Sequence, residues 1–485
     1  MLIDELKQKA AVTGSVPAHF DLIIEDLQKP EDGETQALFV WQEPSGESGI
    51  SITLDAAGRL LSYSVDEELC KEAAPIGEEA LRERARSFFL SQRPEDADRF
   101  LLTESRFEER SAFFEWAQTA LDLPLPQTGA FIRLTLSGEV TSFTYKGAAA
   151  TPPLPVSLAQ PERLRQQLTE TVRMSIAIVK LIPALYAGGD NRLRLVYQPE
   201  PGYRRFDAVT GLAQGTDAET EEEHEAYKAY ELSPEETDDP LSSLEELIGI
   251  PTYPLVKDRE RDMEENLRGI VWHAADREEN PADLSLDGYF RRRMEDTVKA
   301  TADKDTGRLR SFIWMVRRPG KLALSYEDCL ERADAFLRKA MHNWLQVPGL
   351  TLYFQEKSAE DAGSESEGQL RYFFTWQLRY EDVPLYLQFV TLCVNASTGY
   401  VDRFSGPDWN PEEIRNLAPA AKLNADEAHR HYMEAVDFKL EWERDYDAET
   451  PEAAYNLLYT PILKGSGRSR IAFIDAASGE FVTRA

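Results

Sequence analysis

Apolar positions along this chain follow two periods. Short runs alternate apolar and polar residues, as a strand with one buried face requires. They are Leu38 to Trp41, Phe113 to Trp116, Leu193 to Tyr197, Gly269 to Trp272, Tyr372 to Trp376 and Tyr455 to Tyr459. Ile50, Ile52 and Leu54 alternate in the same way, as do Ile132, Leu134 and Leu136 around Arg133 and Thr135. Other stretches repeat at helical spacing. Ala85, Phe88 and Phe89 form one stripe, Ala333, Phe336 and Leu337 its counterpart, and Ala428, Tyr432, Ala435 and Val436 a third. Candidate N-caps stand at Gly77, Ser157, Ser325 and Asn424, each after an apolar residue. Gln160, Asp328 and Glu427 follow the last three caps at the spacing of a capping box. Leu2, Leu6 and Ala10 predict a short opening helix, and Leu244, Leu247 and Ile248 predict another.

The pattern is written twice. In Phe113-Phe114-Glu115-Trp116 the Trp is followed eight residues later by Pro124, and in Phe373-Phe374-Thr375-Trp376 it is followed eight residues later by Pro384. The two copies lie 260 residues apart and run on to glycine turns at Gly138 and Gly399. Gly58, Gly211, Gly307 and Gly479 end alternating strands in the same way. Asp207, Asp303, Asn395 and Asp475 stand four residues before their glycines, and Asp55 three before. Leu134 occupies the fourth place before Gly138 and departs from the pattern. An Asx side chain caps its own turn, and the glycine takes the positive φ that closes a bulged hairpin.

The repeating unit therefore reads as one helix followed by a meander of about three strands. Three units make a half and two halves make the chain. The fold class expected is α+β: a tandem array of helix-plus-antiparallel-meander units in two lobes, each helix covering one face of its sheet. The lobes are residues 1–215 and 241–485, joined by an acidic linker at 216–240. Within that region Glu222 to Glu231 also carries a pattern compatible with a short solvated helix. Gly363 to Gly368 reads as a long hairpin tip.

Composition narrows the partners. With 485 residues the chain exceeds a single core, and 42% apolar with 29% charged content is globular. A net charge of −32 argues against nucleic acid and against anionic membrane surfaces, which both need clustered Lys and Arg. Cys70, Cys329 and Cys393 are odd in number and far apart, which fits a reducing compartment rather than a disulfide framework. Met1-Leu2-Ile3-Asp4-Glu5 lacks the basic region and apolar core of a signal peptide. Ser175 to Ala187, the most apolar stretch, contains Lys180 and Pro183 and is too short to span a bilayer. The expectation is a cytoplasmic protein without membrane insertion.

Candidate chemistry is sparse. The six histidines are His19, His224, His273, His342, His429 and His431, and none falls in a His-Glu-x-x-His pattern. His429 and His431 diverge by about 200° on a helix and cannot share a metal. There is no Cys-x-x-Cys pair. Asp303-Lys304-Asp305-Thr306-Gly307 resembles the start of a calcium loop, but the glycine falls at the fifth place and Trp314 at the twelfth. It reads as a hairpin turn. Nucleophile-elbow, phosphate-loop and dinucleotide fingerprints do not occur. No catalytic, cofactor-binding or metal-ligating residue is assigned, and no cofactor is expected. Trp41, Trp116, Trp272 and Trp376 end strands at matching places and read as core under the helices. Trp314, Trp409 and Trp442 are less regular and are expected to be partly exposed.

The alternating strand, the Asp-x-x-[Thr/Ser]-Gly turn, the aromatic strand and the capped helix resemble the YcdB/YcdC repeat proteins of Gram-positive bacteria. The resemblance covers nearly the whole chain in two copies. Phe206-Asp207-Ala208-Val209-Thr210-Gly211 and Ile474-Asp475-Ala476-Ala477-Ser478-Gly479 also look like the closing hairpin of PepSY domains. PepSY modules are small α+β units that accompany peptidases and cell-surface proteins and are proposed to inhibit or chaperone them. The missing catalytic motifs lead to the expectation of a non-catalytic binding or scaffolding protein with a protein or peptide as partner, and the PepSY likeness implies restraint of a peptidase or engagement of a peptide. A hydrolase with its site at the lobe interface is the alternative.

Overall fold

Alternation becomes strands wherever one face can be buried. The computed structural model describes residues 3–484 except 30–34, 47, 71–72, 97, 203–204, 215–226, 234–242, 265, 278–279, 367, 416, 418–420, 449 and 451–452. The first lobe contains α1 (Ile3–Thr13), β1 (Asp21–Gln28), β2 (Gln36–Gln42), β3 (Gly49–Asp55) and β4 (Leu60–Val65). It continues with α2 (Glu78–Gln92), β5 (Leu101–Phe107), β6 (Ser111–Ala117), β7 (Gly129–Thr135) and β8 (Val140–Gly147). Ala37, Phe39 and Trp41 on β2 face the same core as Ile50, Ile52 and Leu54 on β3 and Ala112, Phe114 and Trp116 on β6. Leu81, Ala85 and Phe89 of α2 close that core. Each fully buried side chain of this size contributes about 1.5–3 kcal/mol.

The unit is larger than expected. Four strands, not three, follow each helix, because the strand leaving the glycine turn also pairs. The eight strands form one antiparallel sheet in the order β1-β2-β3-β4-β8-β7-β6-β5. Its two units meet back to back, with Tyr63 of β4 opposite Phe143 of β8.

The chain then forms α3 (Pro161–Thr171), β9 (Arg173–Lys180), β10 (Leu193–Glu200), β11 (Arg205–Asp207), β12 (Ala213–Gln214) and β13 (Tyr227–Tyr230). Ser157 is not the cap of α3. Gln160 takes that place without a side-chain bond, and Pro161 opens the helix, since its missing N–H and fixed φ suit the first helical position. Within the expected Glu222–Glu231 helix, Tyr227–Tyr230 form β13, an edge strand; residues 222–226 lie outside the described residues.

The second lobe repeats the first. It contains α4 (Leu244–Ile248), β14 (Leu255–Asp262), β15 (Leu267–Ala274), α5 (Leu286–Met294), β16 (Thr297–Asp303) and β17 (Leu309–Trp314). After these come α6 (Tyr326–Ala340), β18 (Leu350–Gln355), β19 (Gln369–Tyr380), β20 (Val383–Asn395) and β21 (Val401–Ser405). The strand order is β14-β15-β16-β17-β21-β20-β19-β18, with β13 added outside β18. Tyr230 Oη of β13 donates to both oxygens of Asp334 on α6, at 2.8 and 2.9 Å. Gly363–Ser366 folds back on the start of β19, so the expected hairpin tip is a paired hairpin. Ser243 and Ser325 close capping boxes with Glu246 and Asp328. α5 fills a longer β15–β16 connection and reaches the first lobe, where the Leu284 carbonyl accepts from the Glu25 N–H of edge strand β1 at 2.8 Å.

The third units do not stay with their own halves. α7 (Ala425–Ala435), β22 (Val436–Arg444), β23 (Tyr455–Leu463), β24 (Ile471–Asp475) and β25 (Phe481–Thr483) end the described chain. Hairpin β9-β10 is completed by β24-β25, with Val196 opposite Asp475. Hairpin β22-β23 is completed by β11-β12, with Phe206 opposite Tyr459. The closing hairpins are thus exchanged between the halves, and α3 and α7 share one core with Tyr197, Phe206 and Ile474. The sheets therefore do not follow the expected division at 215 and 241: residues 161–214 and 425–483 build one module together.

All four strand-end tryptophans are buried. Trp314, Trp409 and Trp442, expected to be partly exposed, are buried too, at 4%, 4% and 6% exposure. Trp442 is covered by the first lobe, whose Ala120 carbonyl accepts its indole N–H at 2.9 Å. Among the described residues no helix is long and apolar enough to cross a membrane.

Candidate functional site

The turn chemistry read from the sequence is present. Asp303 Oδ1 accepts the Thr306 N–H at 2.8 Å and its hydroxyl at 2.7 Å, and Gly307 takes φ 68°. Burial opposes ionisation of Asp303, but these bonds and the nearby Arg310 outweigh it and hold the carboxyl below its ordinary value. At Gly138 the cap is Thr135, three residues back, whose Oγ1 accepts the Glu139 N–H at 3.1 Å. That is the spacing of Asp55 before Gly58, so the first two turns form a class of their own. Leu134 stays in the core.

The histidines do not converge. His431 lies 5.2 Å from the Phe481 ring, His273 Nδ1 is 2.9 Å from the Ala274 carbonyl, and His342 meets Gln346. His224 lies outside the described residues. Among the described residues no three His, Cys, Asp or Glu side chains gather as a metal would need.

What the sequence did not announce is a pair of wide bulges. β19 and β20 pair Gln377 with Phe389 and Arg379 with Pro384, so Leu378 alone stands opposite Leu385 to Gln388. The first lobe does the same 260 residues earlier. Trp116 pairs with Ala130 and Thr119 with Pro124, leaving Leu125 to Gly129 as the bulge opposite Ala117 and Gln118. The backbone repeats as well. Gln127 and Leu387 have φ of 60° and 56°, and the hairpin tips Leu121-Asp122 and Glu381-Asp382 are also left-handed. A bulge bends its strand and re-aims the side chains. Both bulges here seat a lobe on the shared module. Leu125 packs with Trp442 and Tyr455 of the module. Leu385 pairs in parallel with Ile178 of β9, and Tyr386 stacks edge-on against Phe473 at 5.0 Å. Each lobe therefore docks on a hairpin contributed by the opposite half.

Beside the second bulge, where a single residue pair joins β9 to β20, lies a cleft of about 850 Å³, lined among others by Lys180, Ile182, Leu185, Arg310, Leu387 and Glu413. Leu387 is 67% exposed and Leu185 48%. A leucine at positive φ is strained, and such strain concentrates at working sites. Below this apolar rim the charges are engaged. Lys180 Nζ sits 2.8 Å from Glu413 Oε2. Arg310 Nη1 donates to the Pro407 and Trp409 carbonyls at 2.8 and 2.7 Å, and Nη2 lies 3.4 Å from Asp303 Oδ2. Gln388 is buried and accepts the Asp408 N–H at 2.9 Å. The arrangement offers apolar contact at its mouth and a rigid polar floor. A sequence signal for the bulges existed in the duplicated Pro124-Leu125 and Pro384-Leu385. The left-handed Leu387 carried none, because leucine does not ordinarily mark positive φ.

Known proteins resemble this chain in sequence. The chain is 29% identical to the uncharacterized protein YcdB of Bacillus subtilis (strain 168) over 479 residues, 98% of this chain and 96% of that protein. It is 28% identical to the uncharacterized protein YcdC of the same organism over 472 residues, 95% of this chain and 97% of that one. Among solved structures, the Bacillus megaterium YpeB C-terminal domain matches at 15% identity and a TM-score of 0.27, covering 44% of this chain and 96% of that domain. The profile of the YcdB, YcdC repeated domain matches residues 3–147 and 239–408, the two lobes without the shared module. The chain belongs to the family of the YcdB, YcdC repeated domain.

Proposed function

We propose that this protein is a non-catalytic binding or scaffolding protein with PepSY-like units, and that the cleft beside Leu387 receives an extended segment of a partner protein. The observation that carries this reading is the strained, exposed Leu387 opposite Leu185 at the mouth of a preformed cleft. Exposed apolar side chains at a concave site suit recognition of a peptide. The partner segment is apolar and basic: the exposed leucines suit its apolar side chains, and a net charge of −32 favours a cationic partner. Engagement of Lys180, Glu413, Arg310 and Asp303 with one another and with carbonyls supports binding over turnover. Cys70, Cys329 and Cys393 are all free thiols, which supports a reducing, cytoplasmic setting.

The test is selection from a displayed random-peptide library on the folded protein. Enriched peptides combine apolar residues with Lys or Arg, and their affinity falls at least tenfold in Leu387→Asp and Leu185→Asp proteins of unchanged melting temperature. Peptides that bind wild type and the double variant equally well refute the cleft as the site.

A further inference from the structure

Each lobe serves as a template for the other at one corner. Val65 pairs with Ile50 at the end of β4, and Trp314 pairs with Val298 at the end of β17. Two residues earlier, Tyr63 and Phe312 face Phe143 and Phe404 across the junction of the two units. The positions are therefore equivalent by register, and their contents differ.

In the second lobe the corner is solid. Phe312, Trp314 and Val316 are buried. Arg318, four residues past the strand and 4% exposed, lies over the Trp314 ring with its guanidinium carbon 3.2 Å from the centroid. The same carbon is 4.6 Å from the Tyr400 ring. Its Nη2 donates to the Ile248 carbonyl at the end of α4, at 3.2 Å, and its Nη1 reaches Asp402 at 3.4 Å.

In the first lobe the corner is open. Val65 stands for Trp314, and Glu139, one residue past its turn glycine, for Tyr400; Leu69 follows Val65 by the same four residues as Arg318 follows Trp314, although a short 3-10 turn at Glu67–Leu69 carries it. What the larger side chains fill above is here a groove of about 800 Å³, walled by Ile50, Tyr63, Val65, Leu69 and Phe88 and ended by Glu139. Tyr63, Val65 and Phe88 are only half-buried, whereas their counterparts Phe312, Trp314 and Phe336 are buried. Thr13, Gly14 and Ser15, which finish α1, line the groove as well. Their end of the helix carries partial negative charge, as the end of α4 does where it meets Arg318. Arg84 also lines the groove, with its Nε donating to the Gly138 carbonyl at 3.1 Å. Arg332 stands in the same relation to Gly399, so this cation coexists with Arg318 in the filled corner.

We infer that this groove is a second binding site, and that it takes from a partner protein what the second lobe supplies to itself: an aromatic side chain with an arginine stacked on it. The ring fills the space beside Val65. The guanidinium lies between the end of α1 and the Glu139 carboxylate, where charge complementarity and the aromatic wall both favour it. The site lies in the first lobe and is independent of the cleft beside Leu387.

The test is calorimetric titration of the full chain with the capped pentapeptide Trp-Met-Val-Arg-Arg, the sequence of residues 314–318. One-site binding is expected. It weakens about tenfold when both arginines become glutamine or in Glu139→Gln protein, and is lost when the peptide tryptophan becomes alanine. Val65→Trp plugs the groove with the chain's own indole and abolishes binding. Leu69→Arg, which keeps the core strands untouched, is the second blocking variant should Val65→Trp fail to fold. Leu387→Asp leaves this binding intact. No binding at millimolar peptide, or binding that persists in a folded plugged variant, overturns the inference.

Discussion

Replacing Phe206 with alanine is the sharpest probe of the exchanged hairpins. Phe206 belongs to the first half, yet its strand also pairs with the second half and its ring meets an aromatic there. It is fully buried, its backbone pairs with Tyr459, and its ring meets Phe438 edge-on at 5.7 Å and 83°. Deleting a buried phenylalanine ring costs about 3–5 kcal/mol, of which the edge-to-face contact supplies about 0.5–1.5. In the intact chain this appears as a lower urea midpoint with an unchanged slope. The tether between the halves hides the rest, because it holds them at an effective concentration on the order of millimolar. A protease site inserted in the acidic segment between Glu231 and Ser243 removes the tether after folding. The two fragments of wild-type protein then stay together, and Phe206→Ala raises their dissociation constant by about two to three and a half orders of magnitude, at a factor of ten per 1.4 kcal/mol. Sedimentation of the cut proteins measures it. Cut wild-type protein that separates at micromolar concentration without denaturant refutes the exchange. So does a Phe206→Ala variant that is destabilised while its fragments associate as before.

Other outcomes follow from single positions. Trp376→Ala loses about 3–5 kcal/mol in urea unfolding, whereas Trp376→Phe loses about 1, since the buried indole N–H meets no acceptor among the described residues. Leu387→Gly removes a left-handed penalty of about 1–2 kcal/mol against about 0.5–1 of added chain entropy, so the melting temperature rises slightly while peptide binding at the cleft weakens. Asp55, Asp207, Asp303 and Asp475 all have carboxyls held below their ordinary value, where turn N–H groups and neighbouring hydroxyls or arginines outweigh burial. A depressed folded-state pKa stabilises above the unfolded value and fades as pH falls through the folded one, so melting temperatures decline progressively below about pH 4. Asp303→Asn, which keeps the turn geometry but cannot titrate, loses less stability across that acid range than wild type does.

Local chemistry was legible in the residues. The spacing of Asp303 to Gly307 and Asp475 to Gly479 sufficed for two hairpin turns, Ser325 with Asp328 for a capped helix, and the recurring Trp116 and Trp376 for two equivalent cores. Each of these depends on neighbours a few residues away, or on one buried face whose period is visible in the chain. The same locality explains the misreadings. Ser157 has the composition of a cap, but Pro161 sets where the helix can begin. Trp442 interrupts no pattern of its own strand, and the arrival of Ala120 and Leu125 from the other half helps to cover it.

Strand partners are a different matter. The alternating faces of Phe206 and Ile474 fit either closing hairpin equally well, because backbone hydrogen bonds carry no label for the half they come from. Which hairpin completes which sheet was decided when two helices and two sheets closed around one core. The bulge at Leu387 belongs to that same decision: leucine does not choose a left-handed backbone, and the seating of Leu385 on Ile178 and of Tyr386 on Phe473 imposes it. Val65 and Trp314 could be read from the chain as two unremarkable apolar residues. Only register, which matches one lobe to the other, turns their difference in size into an open groove in one lobe and a filled corner in the other.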